Sequence, residues 1–177
     1  MTVRQILLVL LSFACLSPLL ALAGDFTSFR GPNRDNVSTE TGLLKRWPAN
    51  GPQLQWTARG LGEGFSTISI ARGRGFTMGA TKQNGESVHA LNLADGSLVW
   101  STRISGAFGA SSGNGPRGTP TIDGDRLYAL GLAGDLACLN VESGKVLWQK
   151  NVLKAFKASR PGWSICESVL IDGGKLI

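Results

Sequence analysis

A single histidine and three cysteines leave this 177-residue chain with little of the usual material for catalysis. One histidine, His89, builds neither a Ser–His–Asp relay nor a typical zinc site, and its place inside an alternating apolar stretch predicts an ordinary strand residue. The cysteines lack metal-site spacing. Cys15 falls in the apolar N-terminal run, while Cys138 and Cys166 each fall in an apolar strand-like stretch. Two buried thiols are expected there in preference to a disulfide, which an oxidising compartment would allow. Charge is also sparse, at 17% of residues, and the 18 basic residues are scattered among 12 acidic ones. No basic run marks a nucleic-acid footprint. Arg72-Gly73-Arg74-Gly75 has the form of an RGG segment, but it separates two apolar alternating runs and is read as a hairpin turn. Gly144-Lys145 lacks the first glycine of a P-loop, and Gly60-x-Gly62-x-Gly64 is not the dinucleotide fingerprint. Asp123-Gly124-Asp125 reads as a turn, so no metal ligands are assigned. No convincing amphipathic helix follows residue 23; the nearest stretch, Val152 to Ser159, precedes Pro161.

The first 23 residues read as a secretory signal: Arg4, an apolar stretch from Ile6 to Leu22, and an Ala21-Leu22-Ala23 cleavage site. Ser12, Ser17 and Pro18 interrupt the run too often for a comfortable membrane span, and Ser12-Phe13-Ala14 before Cys15 fits a lipobox poorly. The expected product starts at Gly24 and lies in the periplasm or outside the cell, with no transmembrane helix after cleavage. Its charge is +5, since Arg4 leaves with the signal. Residues 24–58 are then a Gly/Pro/Asn-rich strap, with a sequon-like Asn36-Val37-Ser38, that closes in an orphan outer strand, Gln53 to Ala58.

The remainder, 59–177, repeats itself. Ala90-Leu91-Asn92-Leu93-Ala94-Asp95-Gly96-Ser97-Leu98-Val99-Trp100 returns as Ala137-Cys138-Leu139-Asn140-Val141-Glu142-Ser143-Gly144-Lys145-Val146-Leu147-Trp148, with the tryptophans 48 residues apart. A period of about 40 to 50 residues signals a repeat architecture. The repeat extends upstream: Ser66 to Gly79 aligns with Gly118 to Gly131, and both align with Cys166 to Ile177. Short apolar runs such as Ile68 with Ile70, Phe76 with Met78 and Leu98 with Trp100 alternate with Gly/Asp turns, so the chain reads as all-β. Four strands per unit predict a β-propeller of antiparallel blades, with one blade over 66–103, a second over 118–151 and an incomplete third over 164–177. Trp56, Trp100 and Trp148 are expected to wedge between blades, with Gly96 and Gly144 in the repeat turns. Because the third unit stops after two strands, the chain is expected to be a fragment of a longer ring.

The phrase Ala-x-Asp/Asn-x-x-x-Gly-x-x-x-Trp resembles the docking repeat of pyrroloquinoline-quinone (PQQ) propellers. Phe29-Arg30-Gly31-Pro32-Asn33-Arg34-Asp35, Trp47-Pro48 with Gly51-Pro52, Gly60 to Ser66, Gly115-Pro116-Arg117-Gly118-Thr119-Pro120 and Pro161-Gly162-Trp163 extend the likeness to secreted, planctomycete-type members of that family. Val169 stands where the repeat usually has proline, and Ser164-Ile165-Cys166 replaces a more typical glycine-tyrosine-serine. Relatives carry labels ranging from outer-membrane assembly factor to polyvinyl-alcohol dehydrogenase. The resemblance therefore implies one of two roles. The first is an exported scaffold that binds envelope proteins or a small ligand at the propeller channel. The second is a PQQ- and calcium-dependent alcohol or sugar dehydrogenase whose site lies mostly in further blades. The adjacent-cysteine disulfide of many such dehydrogenases has no counterpart here. Glu63, Arg117, Trp163 and Glu167 precede or begin innermost strands and are the candidate channel-lining or ligand-binding residues; none is assigned a catalytic role.

Overall fold

A computed structural model describes residues 24–110 and 112–177, so the predicted signal sequence lies outside the described residues. The first sheet is a meander of β1 (Ser69–Ala71), β2 (Arg74–Thr81), β3 (Gly85–Asn92) and β4 (Leu98–Ser105), hydrogen-bonded in that order. A glycine-rich connection follows, pinched into a small hairpin of β5 (Gly109–Ala110) and β6 (Gly113–Asn114). The second sheet repeats the meander as β7 (Thr121–Asp123), β8 (Arg126–Leu130), β9 (Asp135–Asn140) and β10 (Val146–Asn151). One turn of helix, α1 (Val152–Ala155), leads to β11 (Ile171–Asp172) and β12 (Lys175–Leu176). The protein is a partial β-propeller.

Turn chemistry sets the register. Ala71 pairs with Arg74 across Arg72 and Gly73, which both have positive φ (54° and 70°), the geometry of a tight two-residue hairpin. The RGG-like motif is therefore this turn. The β3–β4 turn is shaped by Asn92, whose backbone binds Ser97 and Gly96 while its side chain accepts from the Ala94 N–H. Asn140 does the same for Ser143, Gly144 and Lys145.

Cross-strand neighbours point to one face. Phe76, Met78, Val88, Ala90 and Ile104 of the first sheet meet Ile122, Leu127, Ala129, Ala137 and Leu139 of the second in one buried cluster. Tyr128, Cys138 and Val169, with Leu130, Leu136, Ile171 and Leu176, form the next. The core thus lies between blades rather than inside any one of them. The indoles mark the joints. Trp100 tilts against Phe76 at 5.9 Å, and Trp148 tilts against the equivalent Tyr128 at 6.1 Å. Trp100 Nε1 donates to the Val141 carbonyl at 3.2 Å, and Trp56 Nε1 donates to the Leu93 carbonyl at 2.7 Å. Gly144 and Gly96, both with positive φ, admit these rings: a Cβ on either would lie within 2.6 Å of indole carbon.

Four expectations change. Gln53 to Ala58 carries its indole to the first blade but forms no strand, because no neighbouring strand among the described residues offers it a ladder. In β1 the buried residues are Ser69 and Ala71, whereas Ile70 is half-buried and Ile68, just before the strand, stays 38% exposed. Cys138 is a buried free thiol, but Cys166 is exposed, since it falls in the loop before β11 rather than in a strand. The third copy also enters register one residue later than an alignment begun at Cys166. Asp172 pairs with Lys175 as Asp123 pairs with Arg126, which sets Ser168 opposite Thr119.

Candidate functional site

The innermost strands begin at one end of the molecule, and three successive blades are tied together there. The Thr67 N–H donates to Thr119 Oγ1 at 3.3 Å, and the Thr119 N–H donates to Ser168 Oγ at 2.9 Å. Each blade thus hands one backbone donor to a hydroxyl of the next. Just above this ladder, the Phe65 N–H donates to the Pro116 carbonyl at 2.8 Å. Gly118 lies so close to Glu167 that a Cβ would fall 2.6 Å from its carbonyl oxygen. The result is a continuous rim over residues 63–67, 115–119 and 167–168.

The four candidate residues occupy this rim in different ways. Glu63 exchanges two 2.8 Å backbone bonds with Ala80 at the end of β2. Its exposed carboxylate accepts from Asn114 Nδ2 at 2.8 Å. Arg117 turns into its own loop. Its guanidinium donates to the carbonyls of Gly113 and Gly115 and to Ser112 Oγ, and it stacks 5.5 Å above the Phe65 ring. These contacts consume the cation as a brace for the β5–β6 hairpin. Glu167 is exposed and accepts from the Cys166 N–H. Trp163 is 74% exposed and stands away from the rim's hydrogen bonds. Glu63 and Arg117 therefore share one loop system, Glu167 abuts it through Gly118, and Trp163 does not join it. Phe65 is the rim residue that sequence reasoning passed over; its position just before the repeat's Ser66-Thr67 was the available signal.

The free edge of the innermost strands is covered. Phe26 and Ile70 exchange two 2.8 Å backbone bonds, and the Ile122 N–H donates to the Thr27 carbonyl. Arg34 then reaches the Ser168 carbonyl at 3.0 Å. The strap thus runs across the inner edges of three blades. Among the described residues, the strap's hydrogen bonds reach the rim only at Ser168.

Two buried ionisable groups lie on β3, and neither was singled out in the sequence as a site. Glu86, at the start of β3, is fully buried. Its Oε1 accepts from the Leu132 N–H of the second blade at 2.9 Å, while Oε2 has no partner and lies against Gly131. Burial pushes its pKa above the ordinary value; the Leu132 bond and the Ser105 hydroxyl oppose this. His89, on the opposite face of β3, is buried with neither ring nitrogen paired. Burial lowers its pKa, against a smaller opposing pull from the Leu61 carbonyl. Beside Glu86, an open polar cleft of about 330 Å³ is lined by Arg103, Ser105, Asp135 and Gln149. Its groups are largely engaged: Asp135 accepts from Ser105 and Asn151, and Gln149 donates to the Ile104 carbonyl.

The donor set at the rim does not suit calcium. It offers two carboxylates, Glu63 and Glu167, the first already bound by the Asn114 amide nitrogen and the second by the Cys166 N–H, against the six to eight oxygens the ion takes. No group of three His, Cys, Asp or Glu side chains converges among the described residues.

Comparison with known proteins agrees with the fold. A family model described as outer membrane protein assembly factor BamB matches residues 36–172. The outer membrane protein assembly factor BamB of Yersinia pestis is 30% identical over 125 residues, covering 66% of this chain and 30% of that protein. The corresponding protein of Moranella endobia is 32% identical over 124 residues, 66% of this chain and 31% of its own. The chain therefore spans about a third of the length of these curated relatives. Among solved structures, a quinohemoprotein alcohol dehydrogenase from Pseudomonas putida HK5 superposes with a TM-score of 0.52 at 19% identity, over 70% of this chain and 18% of that one. That likeness is one of fold.

Proposed function

The chain belongs to the family of PQQ-repeat propellers whose model is described as outer membrane protein assembly factor BamB, and on that footing we propose that it is an exported, non-catalytic scaffold. Its working surface is the rim of innermost-strand starts, and its partners are proteins of the cell envelope. One observation carries this reading: the only cation among the four candidates, Arg117, is committed to three acceptors of its own loop. Its energy goes into holding a surface in shape rather than into polarising a substrate. Glu63 and Phe65 are presented at fixed positions beside it. Folds of this kind host unrelated functions, so the site rather than the fold supports the role.

The test uses the full-length protein in its own cells. A photo-crosslinking residue at Phe65 should capture discrete envelope proteins, and the same residue at exposed Leu147, on an outer strand, should not. In parallel, PQQ with calcium should leave the melting temperature unchanged. A cofactor-dependent rise in melting temperature together with dye-linked alcohol oxidation would replace the scaffold with the dehydrogenase reading.

A further inference from the structure

The two ends of the blades differ in charge. At the end holding the β1–β2 and β3–β4 turns and their repeats, Asp95, Asp123, Asp125, Glu142 and Asp172 share the surface with cations. Arg72 and Arg74 both bind Glu142 there, at 3.1 and 2.8 Å. The opposite end, where β4 and β10 finish, exposes Lys82, Arg103, Lys150, Lys154, Lys157 and Arg160, against the two exposed rim carboxylates Glu63 and Glu167. No carboxylate of the described residues lies within ion-pair distance of any of these six.

Half of those cations sit on one loop. Residues 151–163 contain Lys154, Lys157 and Arg160 and no acidic residue. The loop also carries two protruding aromatics, Phe156 at 81% and Trp163 at 74% exposure. It is held at both feet. The Val152 N–H donates to the Gly134 carbonyl at 2.8 Å, and the Ile165 N–H donates to the Leu132 carbonyl at 3.1 Å. Leu153 packs on Gly134, and Asn151 caps the helical turn. The fold thus spends its local contacts on fixing the loop's base and leaves two large rings in water, where each costs free energy unless something receives it.

We propose that this loop docks the protein on an anionic lipid bilayer. Aromatics at the headgroup level and cations facing anionic lipid are the pattern of interfacial binding. Both rings are largely exposed and project from the surface. A deformable bilayer admits two separate protrusions, whereas a folded acidic partner would need two matching pockets at fixed spacing. The other three cations on the same end, Lys82, Arg103 and Lys150, extend the attraction beyond the loop. This docking does not depend on the rim reading, because it concerns a different loop and a different partner.

The test is co-sedimentation of the full chain with vesicles of phosphatidylcholine alone and of phosphatidylcholine mixed with phosphatidylglycerol. Binding should require the anionic lipid, weaken as salt rises, and quench tryptophan fluorescence when the acyl chains are brominated. Charge reversal in K154E/K157E/R160E should weaken binding by more than the roughly fivefold that loss of each cation costs, at least on the order of a hundredfold in all. Replacing Phe156→Ser and Trp163→Ser together should abolish the bromine quenching and leave a weak, salt-sensitive adsorption. Unchanged melting temperatures would show that both variants fold. The proposal fails if wild type binds neutral and anionic vesicles equally, or if the charge-reversed variant binds like wild type. It also fails if the protein is retained on heparin yet does not sediment with anionic vesicles, which would assign the loop to a soluble polyanion.

Discussion

Glu86 and His89 lie three positions apart on β3 and face opposite ways, and each is buried without full pairing. Their effects on stability run in opposite directions with pH. The raised pKa of Glu86 means that its contribution is fully present below 4.5 and is lost as pH rises through its folded value. The lowered pKa of His89 means that its contribution is present above 6.5 and is lost as pH falls through its folded value. Glu86→Gln keeps an oxygen for the Leu132 N–H and removes the charge. Its melting temperature should match wild type near pH 4 and exceed it at neutral pH. His89→Gln should flatten the loss of stability below pH 6.5 and leave the neutral-pH slope unchanged. Melting curves across pH for both variants check the pair of signs; a Glu86→Gln protein that melts lower at neutral pH would show that the carboxylate is a net stabiliser.

At the scale of an element, the β9–β10 turn shows what a repeat must preserve. Gly144 combines a positive φ of 68° with an indole where its Cβ would stand. Gly144→Ala should cost about 2 to 4 kcal/mol through backbone strain and overpacking against Trp100. Gly124 has a positive φ of 57° but open space around it, so Gly124→Ala should cost only the strain, about 1 kcal/mol. Chemical denaturation of the two variants separates the clash from the backbone effect. This joint was legible in the sequence because tryptophan, glycine and asparagine recur at fixed offsets, and each is there for a side-chain or φ requirement that no other residue meets. The threonine–serine ladder at the rim was not legible. It rests on backbone donors and small hydroxyls, which leave no compositional mark. Glu86 was missed for a related reason: after Asn84-Gly85 it has the look of a solvated turn residue, and only the approach of Leu132 from the next blade makes it an acceptor. The candidates Glu63 and Arg117 were found by position in the repeat, but their hydrogen-bonding to Asn114 and to loop carbonyls depends on how residues 106–118 fold back, which no periodicity encodes.

For the molecule as a whole, the strap decides how the inner edges are kept from other chains. Phe26 and Thr27 supply the hydrogen bonds that Ile70 and Ile122 would otherwise offer outward. Exposed strand edges template aggregation. Deleting residues 24–34 should therefore raise light scattering on mild heating and speed hydrogen exchange at Ile70 and Ile122, while exchange in β3 and β9 stays slow. Equal exchange at Ile70 and Ile122 with and without the strap would show that it covers nothing of consequence. The joints add a constraint of a different kind. Trp56 completes the first blade from outside it and Trp100 the second, so each indole serves a sheet to which it does not itself belong. The unit that stands or falls together is therefore offset from the unit visible as a repeat. When copies are gained or lost over generations, a cut at the edge of the visible repeat and one in mid-blade are equally harmless, provided both ends are cut at the same phase. A splice out of phase would leave one ring with no turn to receive it and one turn with no ring to fill it.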